Sequence, residues 1–233
     1  MSTSHTGTQQ ALQTALAVLR RANLETVAQA QRVFSTPTDA EEAFLDASAR
    51  LFDINHWGNL GPRHPLRAEF LLHDEEGFPV ERMPRPGDHI RMGLPPSYFL
   101  PGHALGGPDW VRVESVEAEE QRSRISVRPS PRPASGDDII THFFTDQSLN
   151  HFVVERDGLV LTATVRGDHE YANVDPYMAG GVTRAVRNLA VAVMSWGLGV
   201  PRHVGGQDSW RLEPLLGMHK LMWKPFTRNL VGD

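Results

Sequence analysis

From Arg67 to about Glu170 the chain is a succession of short runs rich in apolar and β-branched residues, broken by Gly, Pro and Asp. Ala68–Leu72, His89–Gly93, Trp110–Val116, Arg124–Arg128, Ile139–Phe144, Phe152–Arg156 and Leu159–Arg166 all have the length of strands. Turn residues rather than amphipathic helices separate them, and strands joined that way pair antiparallel. Asp157-Gly158 lies between the last two runs, and an Asp-Gly pair supplies the positive φ of a tight hairpin turn. Glu117–Ser123 reads as a charged turn between the Trp110 and Arg124 runs. In the last run Leu161, Ala163 and Val165 alternate with Thr162, Thr164 and Arg166, so one face is buried and the other wet or cavity-lining.

Helical patterns flank this region. Residues 1–8 are small and polar and are expected to be disordered. Leu12, Leu16, Leu19, Val27, Ala30 and Phe34 then recur at spacings near three and four, which predicts a helical extension over residues 9–35. Its last part, Val27–Ser35, fits a short strand equally well. Thr36-Pro37 opens the next helix, with Thr36 as cap and Pro37 in the first turn, and Ala40, Phe44, Ala47 and Leu51 give it one apolar stripe. Asp175-Pro176 repeats that opening for a long helix whose stripe runs from Val182 to Trp196. The tail over residues 201–233 reads as helical, with Leu212, Leu215, Met222 and Phe226 apolar and a break at Pro225. Residues 9–233 therefore read as a single α+β domain, with residues 36–200 as its core.

Composition narrows the chemistry. Among 233 residues there is no Cys, which removes disulfides, thiol nucleophiles and cysteine-ligated zinc or iron–sulfur sites. The formal net charge of −5 argues against a nucleic-acid partner, which needs a basic surplus to neutralise phosphates. No apolar stretch reaches the roughly 18 residues of a membrane span. The first residues lack the basic start and apolar centre of a signal peptide, so a cytoplasmic setting is the expectation.

The order of helix, antiparallel strands and long C-terminal helix resembles the helix-grip fold of START-like and polyketide-cyclase-like proteins. The resemblance rests on Val33-Phe34-Ser35-Thr36-Pro37, the helix ending at Trp57 and the long helix from Pro176. It implies a curved sheet of six to seven strands around the C-terminal helix, with the N-terminal helix and the tail as additions, and a cavity between sheet and helix. Three segments, His142-Phe143-Phe144, Asn150–Arg156 and Arg166–Glu170, are also similar to a group of uncharacterised bacterial proteins, which carries no activity with it.

Candidate sites follow from residue type. His142, His151, His169 and Glu170 stand on or beside neighbouring strands, where imidazoles and a carboxylate converge for acid–base work or metal binding. Yet no two histidines have the i, i+4 or i, i+2 spacing of a metal motif, so neither a metal nor another cofactor is expected. A histidine–carboxylate hydrogen bond is expected here, with Glu170 or Asp146 as the acid and a structural role. Asp74-Glu75-Glu76 and Glu117–Glu120 read as solvated turn charge, and no Gly-x-Ser-x-Gly elbow or Walker loop is present. The Pro- and Gly-rich segment Gly93–Pro108 reads as a mobile loop or a gate over a cavity. Tyr98, Phe99, Trp110, Phe144, Met194 and Trp196 are the candidate lining of that cavity.

The sequence thus points to a protein that binds a small hydrophobic molecule, with no catalysis assigned. Two alternatives stand beside it. One is an interaction or structural protein docking a partner or a second copy through the helix over residues 10–34 and the C-terminal tail. The other is a cavity enzyme using a histidine as general acid–base.

Overall fold

The computed structural model describes residues 26–63, 67–93, 108–196, 199–203, 210–214 and 222–233; for residues 190, 192–196, 199–203 and 210–214 it describes the backbone alone. The chain opens with strand β1 (Thr26–Val33), helix α1 (Pro37–Phe52) and a 3-10 turn (Ile54–Asn59). Six strands follow: β2 (Glu69–His73), β3 (His89–Gly93), β4 (Asp109–Ala118), β5 (Arg122–Pro129), β6 (Leu149–Asp157) and β7 (Val160–Asp168). Helix α2 (Val182–Trp196), the hairpin β8 (Gly199–His203) and β9 (Trp210–Pro214), and helix α3 (Lys224–Val231) complete it.

Strands β1 to β7 form one antiparallel sheet in the order β1-β7-β6-β5-β4-β3-β2, so β1 and β2 are its open edges. This is the sheet of the expected α+β, helix-grip arrangement, with short helices inserted after the first strand. The β6–β7 hairpin turns at Asp157-Gly158 as the sequence indicates. Between β4 and β5 the register slips at Val113/Ser115, a bulge that bends the strand.

Each strand divides its residues between two faces. Ala28, Phe70, Leu72, Ile90, Val111, Val113, Ile125, Phe152, Val154, Leu161, Ala163 and Val165 point inward and are buried. Against them lie Phe44, Ala47 and Leu51 of α1, then Ile54 and Trp57 of the 3-10 turn, then Phe226, Leu230 and Val231 of α3. Trp57 is the centre of this core. Its ring meets Phe152 at 4.5 Å, Phe226 at 5.3 Å and Phe70 at 5.6 Å, and its Nε1–H donates to the Leu51 carbonyl at 2.9 Å. Buried in this way, the indole satisfies its one polar group without water.

Local chemistry explains the ends of the helices. Thr36 Oγ1 accepts the Asp39 N–H at 3.1 Å, and Pro37 occupies the first turn of α1. The last carbonyls of α3 are held by arginines. Arg32 Nη1 donates to Gly232 O at 2.7 Å, and Arg50 Nη1 donates to Asn229 O at 3.1 Å.

Four expectations change. Thr26–Val33 is a strand, so the helical extension over residues 9–35 does not reach β1, and no helix spans residues 10–34. Pairing with β7, reinforced by Gln29 to Thr164 and Gln31 to Thr162 side-chain bonds, outweighs the helical spacing of its apolar residues. Ile139–Phe144 is not a strand. Asn173 Nδ2 donates to the carbonyls of Ile140 and His142, doing with a side chain what a ladder would do with a backbone. Helix α2 begins at Val182, six residues after Pro176, following a turn at Gly180 and Gly181. The tail is not uniformly helical: Trp210–Pro214 pairs with Gly199–His203, and helix α3 covers Lys224–Val231. The remainder of residues 1–25 lies outside the described residues, as does the loop between Gly93 and Pro108.

Candidate functional site

The outward face of β2, β3 and β4 is set by the same alternation that fills the core. Leu71 pairs with Arg91 and Arg91 with Trp110, while His73, two residues on from Leu71 on the same face, pairs with His89. The His73 ring packs edge-on to Trp110 at 4.9 Å, and its Nδ1–H donates to the Leu71 carbonyl at 3.1 Å. Across from these residues runs the arm Arg132–Thr141. Thr141 Oγ1 ties it to the start of β4 by donating to Pro108 O at 3.0 Å.

Sheet and arm enclose a cleft of about 1040 Å³. Its floor is Trp110, its walls include Pro133, Ile139 and Thr141, and Arg91, Arg132 and Arg184 contribute guanidinium groups to the lining. Gly180 is what lets the turn before α2 approach Ile139. A Cβ there would lie 2.8 Å from Ile139 Cγ2 and 3.2 Å from Arg184 Nη1, and its φ of 77° disfavours any side chain. A smaller hollow of about 350 Å³ lies beside Tyr171, Asp146 and Asp175.

Behind the cleft is a buried polar knot. Arg187, three residues after Arg184 on α2, donates from Nη1 and Nη2 to Asp109 Oδ1 and Oδ2 at 2.8 and 2.7 Å. The same guanidinium donates to Thr141 O at 3.2 Å and to Asn188 Oδ1 at 2.9 Å. Asn188 in turn donates to Asn173 O at 3.0 Å and to His142 O at 3.3 Å. Thus one turn of α2 sends Arg184 to the cleft and Arg187 into the protein, where it fixes the arm to β4.

The histidines do not converge. His142 is buried, stacks on Phe143 at 4.2 Å and accepts the Phe144 N–H on Nδ1 at 3.0 Å. Burial lowers its pKa to about 4, so it is neutral in the folded protein. His151 faces the opposite side of the sheet among charged groups. His169 is exposed and has a φ of 54°, and Glu170 is buried. Among the described residues no three His, Asp or Glu side chains are placed to hold a metal ion.

The expected histidine–carboxylate bond exists with a different acid. His151 Nε2 lies 3.3 Å from Asp168 Oδ2, and neither Glu170 nor Asp146 is its partner. Ser126 Oγ is 2.9 Å from His151 Nδ1, so Ser126, His151 and Asp168 have the connectivity of a hydrolase triad. They lack its chemistry. Arg124 Nη2 lies 2.8 Å from the same Nδ1 and can only donate, so it occupies the lone pair a general base needs. Burial, and then the Arg124 charge, lower the His151 pKa. Ser126 is itself buried.

Of the candidate lining residues, Trp110 reaches the cleft, and it does so from the outer face of the sheet. Phe144 packs in the core beside Phe143. Tyr98 and Phe99 lie outside the described residues, as do the side chains of Met194 and Trp196 on α2. Arg91, Arg132 and Arg184 were not singled out by sequence reasoning. Only the Arg91–Trp110 register, invisible without the pairing, signals that they belong together.

No helix among the described residues is long and apolar enough to cross a membrane. No protein-family model and no curated protein matches the sequence. Loose likeness to solved structures is confined to the course of the chain. A hypothetical protein, jhp0584, from Helicobacter pylori has 10% identity, covers 74% of this chain and 90% of its own, and has a TM-score of 0.39. Major latex-like protein 151 from Panax ginseng has 14% identity over 71% of this chain and 95% of its own, with a TM-score of 0.34. Norcoclaurine synthase from Thalictrum flavum has 9% identity over 76% of this chain and 88% of its own, with a TM-score of 0.32.

Proposed function

We propose that this protein binds a small molecule with an apolar or aromatic part, and that the cleft over Trp110 is where it binds. The observation that carries the reading is the cleft itself: about 1040 Å³, with Trp110, Pro133 and Ile139 beside a largely polar and charged lining. Its size is that of a small-molecule site, and Trp110 gives it an aromatic surface. The sequence places the cavity between the sheet and the long helix from Pro176, but the inner face of the sheet is covered by other elements, α1, the 3-10 turn and α3. There the described side chains of Trp57, Phe152, Trp223 and Phe226 pack ring against ring, so we assign the ligand to the outer side. None of His142, His151 and His169 lines this cleft, so no catalytic step is assigned to it.

The test is differential scanning fluorimetry with a panel of neutral, acidic and basic aromatic compounds. A true ligand at a hundredfold its Kd adds about 2.7 kcal/mol of stability, roughly 5 °C or more for a chain of this length. We expect at least one compound to do this in the native protein and to lose the effect in Trp110→Ala. Arg132→Glu, at an exposed position, is the second variant if Trp110→Ala does not fold. Should no compound shift the melting temperature, the reading is wrong.

A second reading draws on a different surface. Tyr177 is 88% exposed, and Val182 and Val186 are 67% and 63% exposed along the start of α2. Such a patch suits a protein partner or a second copy. Native mass spectrometry of the purified protein would report a dimer in that case.

A further inference from the structure

The lining of the cleft carries a charge pattern that its volume alone does not require. Resting on the reading of the cleft as a ligand site, we infer that the ligand is an organic anion, a carboxylate or phosphate borne on an aromatic body. Arg91, Arg132 and Arg184 all line the cleft, and among the described residues none of the three guanidinium groups has a hydrogen bond or ion pair. Elsewhere on the same sheet face arginines are neutralised: Arg112 by Glu114, Arg124 by Glu117 and Arg166 by Asp168.

The cleft holds two carboxylates, and neither cancels the arginines. Asp137 Oδ1 accepts the Ile139 N–H at 3.0 Å within its own turn, and Glu76 stands exposed at the β2–β3 turn. Three guanidiniums against two carboxylates leave the lining cationic. Guanidinium forks match the two oxygens of a carboxylate or the three of a phosphate, which is why unpaired arginines in a concavity select such groups. An inorganic ion would leave most of the volume unused. Trp110, Pro133 and Ile139 provide the flat apolar surface on which an aromatic body rests. Arg184 and Arg91 are half-buried at the cleft, while Arg132 stands exposed on the arm.

The experiment is isothermal titration of the native protein with four matched probes: 2-naphthoate, 2-naphthyl phosphate, 2-naphthamide and 2-naphthylamine. We expect one or both anions to bind at least tenfold more tightly than the neutral amide and the amine. Arg91→Gln, Arg132→Gln and Arg184→Gln should each weaken the anion about tenfold and leave the amide within twofold. Stronger binding of the phosphate identifies a phosphoryl group as the preferred oxyanion, and stronger binding of the carboxylate identifies a carboxyl. Equal binding of amide and anion, abolished by Trp110→Ala, would overturn the anion and keep the ligand site. Preference for the amine would do the same. Failure of all four probes at millimolar concentration would overturn the anion and the ligand site together. Arg132 is exposed, so its variant carries the comparison if either half-buried arginine proves necessary for folding.

Discussion

Glu170 is buried with one carboxyl oxygen lacking any partner, while its other contact is the Thr26 hydroxyl of β1. Burial is the first cause of a pKa raised to about 8, so the group is a neutral acid at pH 7. Gly167 makes room for it: a Cβ at that position would collide with the carboxyl group. In the unfolded chain the acid ionises near its ordinary pKa of 4.5. Between that value and about 8 the unfolded state gains by releasing a proton that the folded state retains. Glu170 therefore costs stability progressively as pH rises through that window, to an order of 2–4 kcal/mol at pH 8. Glu170→Gln removes the cost while keeping the shape. We expect the variant to unfold at higher urea concentration than the native protein at pH 8 and at the same concentration at pH 4.5. Equal midpoints at pH 8 would show that the carboxyl is ionised where it sits. At this scale sequence reading finds the residue and misses its state. The sequence marks Glu170 as an acid near histidines, but burial and the Thr26 contact come from β1–β7 pairing, which no spacing reveals. Asp168 is the true partner of His151 for the same reason.

At the scale of elements, the strands were legible wherever apolar and polar residues alternate and a turn pair marks the end, as at Leu161–Val165 and Asp157-Gly158. Helix α1 was legible from its cap and stripe. Segments held largely by side chains were not, because Ile139–Phe144 has strand composition but pairs only through the isolated Phe144–Ala172 bridge, and side chains of Asn173 and Arg187 hold its carbonyls. Its fastening depends on Arg187 and Asp109, whose side chains are 6% and 1% exposed. A buried pair of this kind costs more when half is removed than when both halves go. Arg187→Met leaves the Asp109 carboxylate buried without its cation and frees the Thr141 carbonyl. We expect about 3–5 kcal/mol of destabilisation from it by urea unfolding. In the double variant Arg187→Met with Asp109→Leu most of that loss should be recovered, because no uncompensated charge remains. A double variant as unstable as the sum of its parts would mean that the pair holds the arm by shape rather than by charge. Loosening the arm also disturbs the wall that carries Arg132, so ligand binding should weaken in Arg187→Met before the fold is lost.

The whole molecule has a sheet with one filled face and one charged face, and its buried ionisable groups titrate in opposite directions. On the acid side stand His142, lowered to about 4, with His89 and His151 also lowered, in each case by burial first. These rings are neutral when folded and bind protons when unfolded below about 6.5, so the stability they contribute is complete above that pH and is lost as pH falls through their folded values. His142 alone accounts for roughly 3 kcal/mol between pH 6.5 and 4. On the alkaline side Glu170 works the other way, with its loss continuing to about pH 8. Between 4.5 and 6.5 the two effects oppose: His142 and Glu170 nearly cancel, and the lowered pKa values of His89 and His151 add to the histidine side, so stability climbs with pH. Above 6.5 the histidines contribute no further slope and Glu170 acts alone, lowering stability by about 2 kcal/mol by pH 8. We therefore expect the urea midpoint, followed from pH 4 to 9, to peak near pH 6.5 and to fall on both sides. In Glu170→Gln the acid limb should remain while the alkaline limb becomes flat to pH 8. A native profile that keeps rising to pH 8, or a variant that still falls there, would show that the buried carboxyl does not govern the alkaline side.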